Sequence, residues 1–124
     1  MRKTLITGAN GFIGSNLIPI LLNNGDKVIA FSVEEPKYKI INDNIEYVIG
    51  DIRNEGLLLE LLKDINVIYH LAALADVTLS YRDPNLYIDV NTVGTLSVCK
   101  ASLESEVERL IVVSSAAVYG EPYY

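Results

Sequence analysis

The sequence predicts an α/β fold built as a doubly wound parallel sheet, and two observations carry that expectation. Short apolar runs rich in Val and Ile alternate with longer segments of helical period, the pattern of strands joined by crossover helices. The runs are also mostly apolar on both faces, which suits strands covered by helices on two sides. Strands are read at Lys3 to Thr7, Lys27 to Ser32, Glu46 to Ile49, Val67 to Leu71 and Arg109 to Ser114. Between them, Phe12 to Asn24 carries apolar residues at 13, 17, 18, 21 and 22 and closes on Asn24-Gly25, a helix C-cap pair. Asn54 to Lys63 places Leu57, Leu58, Leu61 and Leu62 at helical spacing behind an asparagine cap. Asn85 to Leu103 reads as the third and longest helix, opened by Asp83-Pro84 with proline in the first turn. Right-handed crossovers then set five strands in the order 3-2-1-4-5, with a ligand crevice at the carboxyl ends of the first and fourth.

At 124 residues and 13.7 kDa the chain is expected to hold one domain, 1-124, with no second, substrate-binding domain. Hydrophobic residues make up 50% and charged residues 21%, enough for a real core and unlike a disordered chain. A formal charge of -6 and a pI near 4.6 create a field that repels phosphate backbones and anionic membranes, so no nucleic acid and no membrane partner is expected. Gly8, Asn10 and Gly11 interrupt the first apolar run before a signal-peptide core can form, and no stretch approaches the ~20 apolar residues of a membrane span. The expectation is a soluble, cytoplasmic protein. A single cysteine, Cys99, permits neither an intramolecular disulfide nor a cysteine zinc cluster, and it reads most simply as a buried small hydrophobe.

The chemistry begins at Gly8-Ala9-Asn10-Gly11-Phe12-Ile13-Gly14, a G-x-x-G-x-x-G run that leaves an apolar strand and enters an amphipathic helix. In that context Gly8 permits a tight turn, Gly11 lets backbone approach a pyrophosphate, and Gly14 allows close helix packing. The helix N-terminus offers N–H groups and partial positive charge to the anion, so the reading is a Rossmann-like dinucleotide site; glycine turns that serve only as turns are the plain alternative. The ribose end is less decided. Glu34 or Glu35 beyond the second strand can reach a 2′-hydroxyl, or Ser32 can tolerate a 2′-phosphate with Lys37 or Lys39 as counter-charge. Asp51-Ile52-Arg53 after the third strand pairs a carboxylate with the next backbone N–H, an adenine-sized arrangement, although acids are also favourable ahead of a helix such as the one at Asn54. His70 is the only histidine, so neither a histidine metal cluster nor a Ser/His/Asp triad can be assembled, no metal site is expected, and His70 is read as structural. Ala72 and Ala73 behind it permit close backbone approach to a ligand. Ser114 and Ser115 follow the fifth strand and put two hydroxyls at the crevice, where they either orient a substrate oxygen or serve turn chemistry.

Taken together, Thr7 through Gly14, Gly50-Asp51-Ile52-Arg53, His70-Leu71-Ala72-Ala73, Asn91-Thr92-Val93-Gly94-Thr95 and Ser114 through Gly120 resemble the extended short-chain dehydrogenase/reductases. Among these the chain looks most like the NAD-dependent nucleotide-sugar epimerase/dehydratases, UDP-glucose 4-epimerase-like, and the resemblance runs from Arg2 to about Pro122. It implies that Gly8, Asn10, Gly11, Phe12, Ile13 and Gly14 hold the pyrophosphate of NAD and Asp51 and Ile52 its adenine. Leu71, Ala72 and Ala73 then line the cofactor path, Asn91 lies near the active centre, and Ser115 matches the catalytic serine or threonine. The family chemistry moves a hydride from a sugar carbon to the nicotinamide while a tyrosine phenolate, its pKa lowered by a lysine four residues on, removes the hydroxyl proton.

Three departures qualify the resemblance. No Y-x-x-x-K occurs in the chain, since Tyr119 is followed four residues on by Tyr123. The expectation is therefore a truncated piece of a longer enzyme, catalytic only with the missing half. Ser32 stands where NAD-preferring members commonly carry an acid, which keeps NADP open, and Ala75 stands where some sugar epimerases have a lysine. The rival readings are a stand-alone dinucleotide-binding module and an NADP-dependent reductase acting on a non-sugar carbonyl. The resemblance further implies a homodimer packed through the third helix, and a bare fifth-strand edge implies self-association.

Overall fold

The computed structural model describes residues 1–123. Strands β1 (Lys3–Thr7), β2 (Lys27–Ser32), β3 (Ile45–Ile49), β4 (Val67–His70) and β5 (Arg109–Val112) pair in parallel in the order β3-β2-β1-β4-β5, as the sequence predicts. Thr7 at the end of β1 stands opposite Phe31 on one side and His70 on the other, so the carboxyl ends of the three central strands are level. Successive residues of a strand point to opposite faces, and the core divides accordingly. Leu5, Phe31 and Ile68 pack on one face with Leu58 of α2 (Glu55–Leu61) and with Val98 and Ala101 of α5 (Thr95–Glu104). Ile6, Val28 and Ala30 pack on the other with Ile18 and Leu21 of α1 (Phe12–Asn23). Truncating a fully buried residue such as Leu5 or Ile68 to alanine would cost about 2–5 kcal/mol.

The expected caps are present: Asn54 accepts a hydrogen bond from the Leu57 N–H at 3.1 Å to open α2, and Asn24 closes α1. Strand ends differ by a residue or two. β3 begins at Ile45, β4 stops at His70 rather than Leu71, and β5 stops at Val112 rather than Ser114. Single backbone bonds from Leu71 to Thr7 and from Val113 to His70 finish the ladder before the chain turns away. The edge strands β3 and β5 are only half covered, so burial on both faces belongs to the central strands alone.

The stretch from Asn85 to Leu103 is not one regular α-helix. It comprises α4 (Pro84–Ile88), a π turn (Asp89–Gly94) and α5, with a further short helix, α3 (Val77–Arg82), ahead of it. The side chains of Asp76 and Asp83 cap α3 and α4. Helix α3 buries no side chain, so it carries no core-facing period for a sequence reading to find. The π turn falls where Gly94 meets Ile52: a Cβ at Gly94 would lie 2.6 Å from Ile52 Cδ1, so no other residue fits without displacement. Cys99 corrects a second expectation, being exposed. Helix α5 turns Ser97, Val98, Ala101 and Ser102 inward, and position 99 falls on the outer side of that stripe. Among the described residues no helix is long and apolar enough to cross a membrane.

Candidate cofactor-binding site

The site is built where β1 gives way to α1. Gly8 has φ +64°, a left-handed conformation that costs most residues dearly, and a Cβ there would lie 2.8 Å from the backbone N and Cα of Ala72. The turn after β1 and the loop after β4 therefore touch backbone to backbone. A Cβ at Gly14 would fall 2.6 Å from the Ala9 carbonyl oxygen, so α1 starts pressed against the turn. Gly11 is the N-cap of α1, and neither a side-chain cap nor an acidic residue occupies the first turn. The helix N–H groups and their partial positive charge are thus left to a ligand.

A cavity of about 400 Å³ opens between these loops at the carboxyl ends of the strands. Gly8 and Gly11 form one side of it and Leu71, Ala72 and Ala73 another, while Ser32, Asp51 and Ile52 border the end below β2 and β3. Leu86 of α4 and Val90 of the π turn complete the wall, contributions that only the chain's return over the sheet reveals. The other sequence-expected residues lie off this cavity. The Asn10 amide donates to the Glu34 carbonyl and ties the glycine turn to the segment after β2. Phe12 is 87% exposed and Ile13 is exposed beside it at the start of α1. Asn91 stands behind the wall, where its side chain accepts from the Leu74 N–H at 2.8 Å and donates to the Leu74 carbonyl at 2.9 Å.

At the β3 end the Asp51 carboxylate is clamped by Arg53. The guanidinium donates through Nε to both carboxylate oxygens at 3.0 and 3.1 Å and through Nη2 to Oδ2 at 2.7 Å, and the Arg53 backbone N–H donates to Oδ1 at 2.8 Å. The Arg53 side-chain hydrogen bonds above all hold the Asp51 carboxyl below its ordinary range, with burial acting the other way. Of the charged residues near the ribose end, Glu35 is engaged by Lys39 at 3.1 Å, and Lys37 lies over the Tyr38 ring.

Ser114 and Ser115 do not reach the cavity, contrary to the expectation of two hydroxyls in the same crevice. Because β5 ends early, the chain has moved past the sheet by Ser115, whose hydroxyl accepts from the Ala117 N–H at 3.1 Å and caps the 3-10 turn Ala116–Tyr119. His70 is 3% exposed and bonded through both ring nitrogens, to the hydroxyls of Thr7 at 2.7 Å and Thr95 at 2.8 Å; burial pushes its pKa down. Among the described residues no group of His, Cys, Asp and Glu is arranged to hold a metal ion.

A glycine turn feeding a helix N-terminus at the switch point of a parallel sheet defines a Rossmann-like nucleotide-binding domain. Residues 4–123 match the NAD dependent epimerase/dehydratase family, and the chain belongs to it. It is 32% identical over 135 residues to a UDP-glucose 4-epimerase of Pisum sativum, covering 98% of this chain and 39% of that protein. It is 35% identical over 123 residues to a putative UDP-glucose 4-epimerase of Methanocaldococcus jannaschii, covering 97% of this chain and 40% of that protein. Among solved structures it is similar to MoeE5 in complex with UDP-glucose and NAD, with 34% identity, a TM-score of 0.85, and coverage of 97% of this chain and 38% of that one. The chain thus spans well under half the length of these relatives.

Proposed function

We propose that this chain is the cofactor-holding part of a nucleotide-sugar epimerase or dehydratase that works by hydride transfer through a keto-sugar intermediate. The observation that carries the reading is that the glycine turn, the small-residue loop after β4 and the Asp51 segment border one cavity at the switch point of the sheet. The cradle suits NAD: Gly8 and Gly11 leave the α1 N-terminus open to a pyrophosphate, and Asp51 with the N–H of Ile52 offers the acceptor and donor that an adenine edge requires. When bound, NAD supplies the nicotinamide ring that takes up a hydride from a sugar carbon. Asn10 and Asn91 act on this site through backbone they hold, and Phe12, Ile13 and Gly14 through the first turn of α1. Ser115 is the residue that orients a sugar oxygen once a substrate and the rest of the enzyme close over it. The proton-removing tyrosine and its lysine belong, on this reading, to the portion of the full-length relatives that this chain does not span.

The test is a calorimetric titration of the 124-residue chain with NAD and, in parallel, NADP. A Cβ at Gly11 would already lie 3.2 Å from the Gly8 carbonyl oxygen. Gly11→Val should therefore weaken NAD binding by at least about tenfold, the order expected when a bulky group is forced into packed backbone. A folded sample that binds neither dinucleotide would overturn the reading. Preference for NADP would transfer the ribose end to Ser32 with a lysine partner. A nucleotide-sugar substrate, a cytoplasmic setting and self-association along the β5 edge complete the proposal, the last checked by light scattering.

A further inference from the structure

The buried imidazole of His70 sits in a hydrogen-bond chain whose direction can be worked out. The Thr7 hydroxyl oxygen accepts from the backbone N–H groups of Leu71 and Ala72, each at 3.1 Å, the former shared with the Thr7 carbonyl. Both of its lone pairs are then engaged, so its single proton goes to His70 Nδ1 at 2.7 Å. Nδ1 must be the unprotonated nitrogen, and Nε2–H donates to the Thr95 hydroxyl at 2.8 Å. That hydroxyl passes its own proton to the Asn91 carbonyl at 2.8 Å, while the Asn91 side chain grips Leu74 by both backbone groups. The cavity wall from Leu71 to Leu74 is therefore held at its start by Thr7 and at its end by Asn91, with His70 joining the two anchors.

We infer that His70 is a positioning residue for the dinucleotide: in its neutral, Nε2-protonated form it fixes the Leu71–Leu74 wall against the glycine turn, and protonation releases the wall. A proton on Nδ1 would face a Thr7 oxygen with no free lone pair, so one loop N–H would lose its acceptor. The wall and the turn cannot drift apart without cost to the site, because Gly8 and Ala72 are in backbone contact. The groups bonded to the ring are uncharged, the hydroxyls of Thr7 from β1 and Thr95 from α5, and burial is the one influence that lowers its pKa. The inference rests on the dinucleotide reading and adds to it a dependence on a residue outside the cavity.

Because His70 is the only histidine, its ring nitrogens give unambiguous signals in nitrogen NMR of the labelled chain. The expected result is the Nε2-protonated neutral tautomer at about pH 7.5; an Nδ1-protonated ring would overturn the inference. Calorimetric titration with NAD supplies the second measurement. Affinity should fall about tenfold between about pH 7.5 and a pH below the lowered folded value of His70, the order expected for one buried hydrogen bond left unmade. At the higher pH Thr95→Val should weaken binding by about the same factor and Thr95→Ser should restore it, with circular dichroism confirming that each variant is folded. Failure of the unsubstituted chain to bind NAD at either pH would overturn the cofactor reading and this inference with it. NAD binding that is insensitive to pH and to Thr95→Val would overturn the positioning role alone.

Discussion

Asn91 holds Leu74 by both of its backbone groups, at 2.8 and 2.9 Å, so that one side-chain amide does the work of a neighbouring strand for the loop after β4. The amide is suited to this because it offers an acceptor and a donor side by side. Asn91→Asp keeps the acceptor and sets a carboxylate oxygen against the Leu74 carbonyl, and it should destabilise the chain by about 1–3 kcal/mol, the cost of a buried polar group left unpaired. Thermal unfolding checks this, with Asn91→Leu expected to lose a similar amount.

Gly8→Ala meets two obstacles at once, a left-handed backbone and the Ala72 backbone at 2.8 Å. The combined cost is expected at about 2–4 kcal/mol. Urea unfolding should show a lower midpoint, and NAD affinity should fall further than stability alone explains, since the turn itself is displaced.

Arg53→Gln removes the guanidinium that holds the Asp51 carboxyl below its ordinary value of 3.8. Asp51 should then titrate at higher pH, as followed by its side-chain carboxyl carbon in NMR. The sign for stability follows from linkage: a carboxyl with a depressed folded pKa contributes stability above its unfolded value, and that contribution is lost as pH falls through the folded one. The variant should lose less stability on acidification than the parent.

His70 contributes at higher pH. Its folded pKa lies below the ordinary 6.5 because burial disfavours the imidazolium, so between the two values the unfolded chain binds more protons. Its contribution is intact above 6.5 and is lost as pH falls from there toward the folded value. Denaturant midpoints measured down this range should decline, and a His70→Gln variant should show a flatter profile.

Cys99 should react stoichiometrically with a thiol reagent in the folded chain, in contrast to the slow labelling of a core cysteine. Protection without denaturant would show that another surface covers the outer side of α5.

Much of this was legible in the residues themselves. Strand order, the α1 start and the contacts of Gly8 and Gly11 with the cavity follow from local signals: continuous apolar runs, helical spacing and a glycine triplet at a strand-to-helix junction. The Asn54 and Pro84 helix starts were equally plain, because capping chemistry is local. The π turn was not, since it depends on Ile52 meeting Gly94 across the fold. Nor was the exposure of Cys99, which needs the phase of α5 against the sheet.

The sequence by itself determined the order of elements, their parallel pairing and the turn that opens a helix toward an anion, because each rests on propensities and periods within a few residues. Only the tertiary structure decided that Arg53 clamps Asp51 and that Ser115 caps a turn away from the cavity. It alone assembled Thr7, His70, Thr95 and Asn91 into one chain of hydrogen bonds. The positions so joined lie far apart in sequence, and the direction of each hydrogen bond is fixed by whether a donor or a lone pair is left over after packing.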